Sequence, residues 1–161
     1  MNQLSTDELY KELVKRLSEN TQIVGPCIVW TKKLSYYGYA RTKINYQEYF
    51  VHRLVWQLYN GEIPEDMVVD HKCNNRACVN PKHLRLATHA QNTYNKSGAN
   101  KNNKKSGVRN VHWNRDHWQV RITKQGVRYY YGPFTDLDEA TTVAEDKRKV
   151  IYGEFAGTGW I

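Results

Sequence analysis

Cysteine is scarce: the 161 residues hold three, an odd number that supplies no disulfide framework. In a reducing compartment, clustered cysteines point to metal ligands rather than to a bridge. Long hydrophobic runs are missing too. None approaches the ~20 apolar residues that cross a bilayer. The opening stretch, MNQLSTDELYKELVKRL, is too polar and acidic for a signal peptide. These absences argue against an exported or membrane-embedded protein and lead us to expect a cytoplasmic one. Internal repeats are absent as well.

Acidic residues are nearly missing from one window. From Thr93 to Arg128 there are nine Lys or Arg and one acid, Asp116, so this window carries the whole formal net charge of +8. The remainder balances, 15 against 15. A solvated surface is the plain reading of such a segment. Trp113, Trp118, Tyr129, Tyr130 and Tyr131, interleaved with the positive charge, turn the reading toward a nucleic acid.

The remaining composition, 40% hydrophobic and 25% charged, is that of a folded domain or two small ones. Ser5 and Glu8 have capping-box spacing, and Leu9, Leu13 and Leu17 recur every four residues, which predicts an N-terminal helix over 1–20. Short strands are expected from Cys27 through CIVW, YYGYART and QEYFVHRL, with a turn near Asn45. Helical spacing takes over in VHRLVWQLYNG and stops at Asn60-Gly61. MVVD reads as a buried strand, and HLRLATHAQNTYN as strand passing into helix. Residues 96–106, KSGANKNNKKS, are a basic linker by composition. Over 107–157, three strands separated by RD and QG lead into a helix that is acidic at its start and basic near its end.

Between Val69 and Asn92 the sequence VDHKCNNRACVNPKHLRLATHAQN crowds together groups that bind metals or move protons. Cys73, Cys78 and His83 are three potential zinc ligands. Cys27 is the only other cysteine, and a Cys3His site using it would clip the early strands to this later loop and add folding free energy. Asp70, His71, Asn80 and Asn92 remain outside that set. A histidine with a pKa near ~6.5 suits general-base work at neutral pH. Asp70 and Asn92 offer the oxygen donors that Mg²⁺ prefers.

DHKCNNRACVNPKHL followed by HAQN resembles the HNH, or His-Me finger, endonucleases, and in particular the mobile homing enzymes and the intron-encoded His-Cys box enzymes. The resemblance spans roughly Cys27 to Asn95, giving a nuclease module at 21–95. It implies His71 as general base, Asp70 and Asn92 as ligands of a catalytic Mg²⁺ (or Mn²⁺), and Asn80 as the residue that tethers the loop and orients the histidine. It also implies a phosphate-binding Arg41, and structural Zn²⁺ at Cys27, Cys73, Cys78 and His83. SGVRNVHWNRDHWQVRITKQGVRYYYGPFTDLDEATTVAEDKRKVIYGEFA, from Ser106, is similar to the Apetala/ethylene-response-factor DNA-binding domain, whose sheet enters the major groove of duplex DNA. Candidate DNA contacts are Lys104, Lys105, Arg109, Trp113, Arg115, Trp118, Arg121 and Arg128, some of them to phosphate only.

The expected fold is α+β: a zinc-stapled ββα-metal nuclease module followed by a three-stranded antiparallel sheet packed on one helix. The expected function is site-recognising cleavage of double-stranded DNA by a homing-type enzyme in a bacterial or phage-infected cell, acting as a monomer or a homodimer. Two alternatives differ in class. One is a DNA-binding regulator on an inactive zinc-stapled nuclease fold. The other is a protein that binds or cleaves RNA.

Overall fold

The structure, a computed structural model, describes residues 4–157. The chain divides into two compact units, Met1–His89 and Ala90–Ile161. Among the described residues no helix is long and apolar enough to cross a membrane.

The first unit opens with α1, Thr6–Glu19. Its capping box forms as the spacing predicts: the Ser5 hydroxyl accepts from the Glu8 N–H, and the Glu8 carboxylate accepts from the Ser5 N–H at 2.8 Å. Two hairpins follow, β1 (Thr21–Val24) with β2 (Cys27–Trp30), and β3 (Arg41–Ile44) with β4 (Gln47–Phe50). The expected turn at Asn45 is present. Asn45 and Tyr46 both have positive φ, the geometry of the tight turns whose twist matches paired strands. QEYFVHRL does not continue as a strand. Helix α2, Val51–Asn60, begins directly after Phe50, because Val51, Leu54 and Val55 bury on one helical face. β5 (Met67–His71) pairs antiparallel with β6 (Leu84–Thr88), placing Asp70 opposite Arg85 and His71 opposite Leu84. Leu13, Trp30, Ile44, Val51, Leu54, Val55, Val69 and Leu84 share one core. A short helix, α3 (His89–Tyr94), follows β6.

In the second unit β7 (Val111–Asn114), β8 (His117–Lys124) and β9 (Val127–Phe134) form an antiparallel sheet in that order. The QG turn closes β8 to β9, with positive φ at both Gln125 and Gly126. Helix α4 spans Leu137–Tyr152; the Asp136 carboxylate accepts from the Glu139 N–H at its start, and Gly153 follows its last turn. Val111, Val120 and Ile122 bury against Ala140, Ala144 and Ile151.

Residues 96–106 are not a free tether. The Asn103 side-chain amide donates to the carbonyls of Val108 and Val111, both at 2.8 Å, and Ser106 Oγ donates to Val111 at 2.6 Å. Tyr94 stacks on Tyr152 with centroids 4.4 Å apart. The second unit therefore begins at Ala90, ahead of the boundary that composition suggested at residue 95. Polar side chains fold this stretch back onto its own unit, which a composition rule does not register.

Candidate active site and zinc cluster

β2 has two partners. It pairs with β1, and it also takes a strip of the cysteine loop: Trp30 N–H donates to Ala77 O at 2.9 Å and Val79 N–H to Ile28 O at 2.7 Å. This strip carries Cys27 from far upstream to Cys78. Lys72 N–H donates to His83 O, and Asn80 caps the short 3-10 turn Pro81–His83, its side-chain oxygen accepting from Lys82 N–H at 3.0 Å.

Cys27, Cys73, Cys78 and His83 thereby converge, with ligand atoms all within 4.8 Å of one another. His83 Nδ1 stands 3.6 Å from Cys27 Sγ and 3.5 Å from Cys78 Sγ. A tetrahedral zinc with Zn–S of about 2.3 Å and Zn–N of about 2.05 Å requires a sulfur–nitrogen edge of about 3.5 Å. These two sulfur–nitrogen edges match that geometry. Burial raises the Cys27 thiol. The Cys73–Cys78 hydrogen bond pushes the Cys73 thiol up and the Cys78 thiol down. Metal binding would deprotonate the thiols.

His71 ends β5 and is 4% exposed. Its Nε2 lies 3.1 Å from Cys78 O. A carbonyl can only accept, so Nε2 carries the proton and the neutral ring keeps its lone pair on Nδ1. The cysteine loop thus sets the tautomer of His71. Burial lowers its pKa, partly offset by that carbonyl and by Asp70, which favours the neutral ring.

Two partners of this site were not anticipated. His52, 5% exposed on α2, has its ring centroid 4.8 Å from that of His71 and stacks on Tyr39 at 5.3 Å. Burial first, then the neighbouring His71 and Arg53, hold its pKa down at about 3. Its Nδ1 meets no hydrogen-bond partner among the described residues. In the sequence His52 sits inside an apolar helical face, where it reads as filler. The second is Arg85, whose Nε donates to Asp70 Oδ2 at 2.9 Å in a buried ion pair. The β5–β6 register creates this pair, and that register is not visible from the residues alone.

The remaining predicted residues divide. Asn80 is a tether, its amide donating to Pro26 O at 3.1 Å. Arg41 pairs with Glu48 and lies over the Phe50 ring, so its charge is largely neutralised locally, which weakens it as a phosphate ligand. Asn92 is half-buried on α3.

In the second unit, Val120 and Ile122 face α4, so strand alternation turns Arg121 outward, opposite Tyr130; Arg128, opposite Thr123, shares that face. Arg115 is exposed in the β7–β8 turn, and Lys104 is exposed as well. Arg109 is placed differently: its guanidinium donates to the carbonyls of Tyr94, Lys96 and Ala156. It braces the fold rather than presenting itself to DNA. Trp113 and Trp118 stack edge-to-face at 4.7 Å on the side of Val111 and Val120, away from the outward arginines, and Lys105 lies over the Trp113 ring at 3.9 Å.

Residues 49–94 match the family model described as HNH endonuclease. The chain is 31% identical over 107 residues to a protein of Acanthamoeba polyphaga mimivirus named Uncharacterized HNH endonuclease L560, covering 66% of this chain and 54% of that one. It is 37% identical over 67 residues to Protein 7.7 of Escherichia phage T7, covering 42% of this chain and 52% of the phage protein. Protein 3.8 of the same phage is 29% identical over 107 residues, 65% of this chain and 86% of its own length. The chain spans about half the length of the first two relatives. No solved structure matches it.

Proposed function

We propose that this protein is a DNA endonuclease of the HNH class, of homing type, in which the HNH-like stretch at 49–94 cuts and the three-stranded sheet of the second unit holds the target duplex. The observation that carries the reading is His71: a buried imidazole at a strand end, with its tautomer set by Cys78 O, inside the stretch that matches the HNH endonuclease model. The phage and mimivirus relatives fit a virus-associated enzyme.

His71 Nδ1 takes a proton from a water, and the resulting hydroxide attacks phosphorus as the P–O bond to the leaving oxygen breaks. Asp70 and Asn92 are hard oxygen donors, a set that suits Mg²⁺ or Mn²⁺. A cation taken up at Asp70 would neutralise charge on the phosphate and stabilise the departing oxygen. Arg85 holds one oxygen of Asp70 and so fixes the carboxylate's orientation. Asn80, through Pro26 O, holds the loop that carries Cys78 O. Zinc held by Cys27, Cys73, Cys78 and His83 would be structural, because protein would fill all four positions.

In the second unit the three-stranded sheet acts as the reader, in the manner of an Apetala-type domain. Arg121 and Arg128 face the groove, with Arg115 and Lys104 beside them on phosphates. One observation favours a second reading, a DNA-binding regulator: both Asp70 and Arg41 are engaged in ion pairs. The two readings separate on one experiment. EDTA-treated protein is given plasmid or phage DNA with and without Mg²⁺ or Mn²⁺, and products are mapped on both strands. Metal-restored cleavage at defined positions supports the nuclease. Binding with no cleavage under any of these metals supports the regulator.

A further inference from the structure

The nuclease unit has a positively charged, tyrosine-rich surface of its own. From Thr31 to Gln47 there are four basic residues, four tyrosines and no acid; Arg41 pairs with Glu48 just beyond, which leaves Lys32, Lys33 and Lys43 as the exposed positive charges. Two tight turns organise the stretch. In the first, Leu34 bridges Ala40, Ser35 N–H donates to Tyr39 O at 2.8 Å, and Gly38 N–H donates to Ser35 O at 2.9 Å. Arg76 holds the turn from outside, donating to Tyr37 O at 3.0 Å and lying over the Tyr39 ring at 5.1 Å. The tip is therefore ordered, yet Tyr36 is 96% and Tyr37 68% exposed, packed edge-to-face on one another at 5.2 Å. Tyr46, 85% exposed, tops the second turn with Lys43 beside its ring.

Exposed rings on a braced turn contribute little to a core. A rigid aromatic pair flanked by lysines is what a nucleic-acid strand recognises: bases stack on the rings and phosphates pair with the ammonium groups. The turn also reaches the chemistry. Tyr39, two residues from Tyr37, has its ring centroid 5.9 Å from that of His71. We propose that the Tyr36–Tyr37 tip docks the substrate nucleic acid beside the scissile step. The rings stack on an unstacked base, and Lys32, Lys33 and Lys43 take flanking phosphates. This rests on the nuclease reading for its substrate.

The test uses the full chain and a duplex carrying 2-aminopurine at successive positions around the mapped cut, with Tyr36→Ala/Tyr37→Ala, Tyr36→Phe/Tyr37→Phe and Lys32→Ala/Lys33→Ala. All side chains changed are exposed, and each variant's melting midpoint is checked against wild type. Loss of stacking on one base lowers affinity by roughly 5- to 150-fold. The alanine pair shows that loss and loses 2-aminopurine brightening beside the cut, while the phenylalanine pair keeps both. The lysine pair lowers the slope of log affinity against log salt by about 1.8, two phosphates at about 0.9 each. Alanine variants that bind, brighten and cut as wild type does overturn the proposal and leave the tip as a surface for another partner. A wild-type chain that binds duplex but never cuts overturns the nuclease reading alone, and the affinity of the alanine and phenylalanine pairs for that duplex still decides whether the tip docks nucleic acid.

Discussion

Acid should unfold this protein partly through one side chain, His52. Its ring is 5% exposed and held neutral at a pKa of about 3, against 6.5 for an ordinary histidine. Between those values the unfolded chain binds a proton that the native chain refuses, so stability is full above about pH 6.5 and falls as pH drops. At about pH 5 the difference from His52 is 1.5 units at 1.36 kcal/mol each, or about 2 kcal/mol. Replacing His52 with Phe removes the titration while keeping a flat ring against Tyr39, Phe50 and His71. It also removes a buried nitrogen without a partner, a group that costs roughly 1–3 kcal/mol. We expect His52→Phe to lie within about 1 kcal/mol of wild type at about pH 7.5 and to lose about 2 kcal/mol less than wild type at about pH 5. Urea unfolding of both proteins, zinc-loaded and at both pH values, measures this. Loss of zinc or protonation of carboxylates acts on both proteins alike and cancels in the difference. If the two proteins lose the same stability on acidification, His52 is not held neutral by burial and the packing account around His71 is wrong.

Three further outcomes follow from the same geometry. Cys78→Ser removes a fully buried ligand from the quartet, and a structural zinc contributes about 10–16 kcal/mol, as much as the whole stability of a typical domain. The variant should lose its one zinc per chain by metal analysis and its cooperative melt; a folded, active, zinc-free protein would remove the structural-site claim. Arg109→Ala should destabilise the protein by roughly 1–3 kcal/mol, because three carbonyls lose their donor, and calorimetry would detect it. Arg121→Ala, on the exposed sheet face, should leave the melt within about 0.5 kcal/mol yet weaken the preferred duplex by about 1–3 kcal/mol more than a scrambled one. Equal weakening of both duplexes would make Arg121 a phosphate contact.

Local signals in the sequence carried much of the fold. The capping box at Ser5 and Glu8, the end of α2 at Gly61, the turns at Asn45 and at Gln125-Gly126, and the strand into His71 each depend on a few adjacent residues. The Cys3His cluster was legible for another reason: with three cysteines in the chain, the choice of thiolates was nearly forced. What stayed hidden depends on register and on which face turns inward. The pairing of Asp70 with Arg85 exists only once β5 and β6 align. His52 looks like one more residue of a buried helical face until Tyr39 and His71 close over it. Arg109 counts as positive charge in a basic window, yet its guanidinium serves backbone carbonyls. Trp113 and Trp118 suggested a stacking surface, and alternation put them on the helix side of the sheet. The basic stretch at 31–47 is hidden in a whole-chain count because acids elsewhere in the chain balance it.

The central claim is that His71 is the base of a metal-dependent DNA cleavage. Its direct test is single-turnover cutting of duplex DNA by wild type and His71→Ala in Mg²⁺, with duplex affinity measured on the same samples. The imidazole acts on the transition state, so the variant should cut slower by several orders of magnitude while affinity stays within about 2-fold. Cutting at the wild-type rate by His71→Ala would contradict the account.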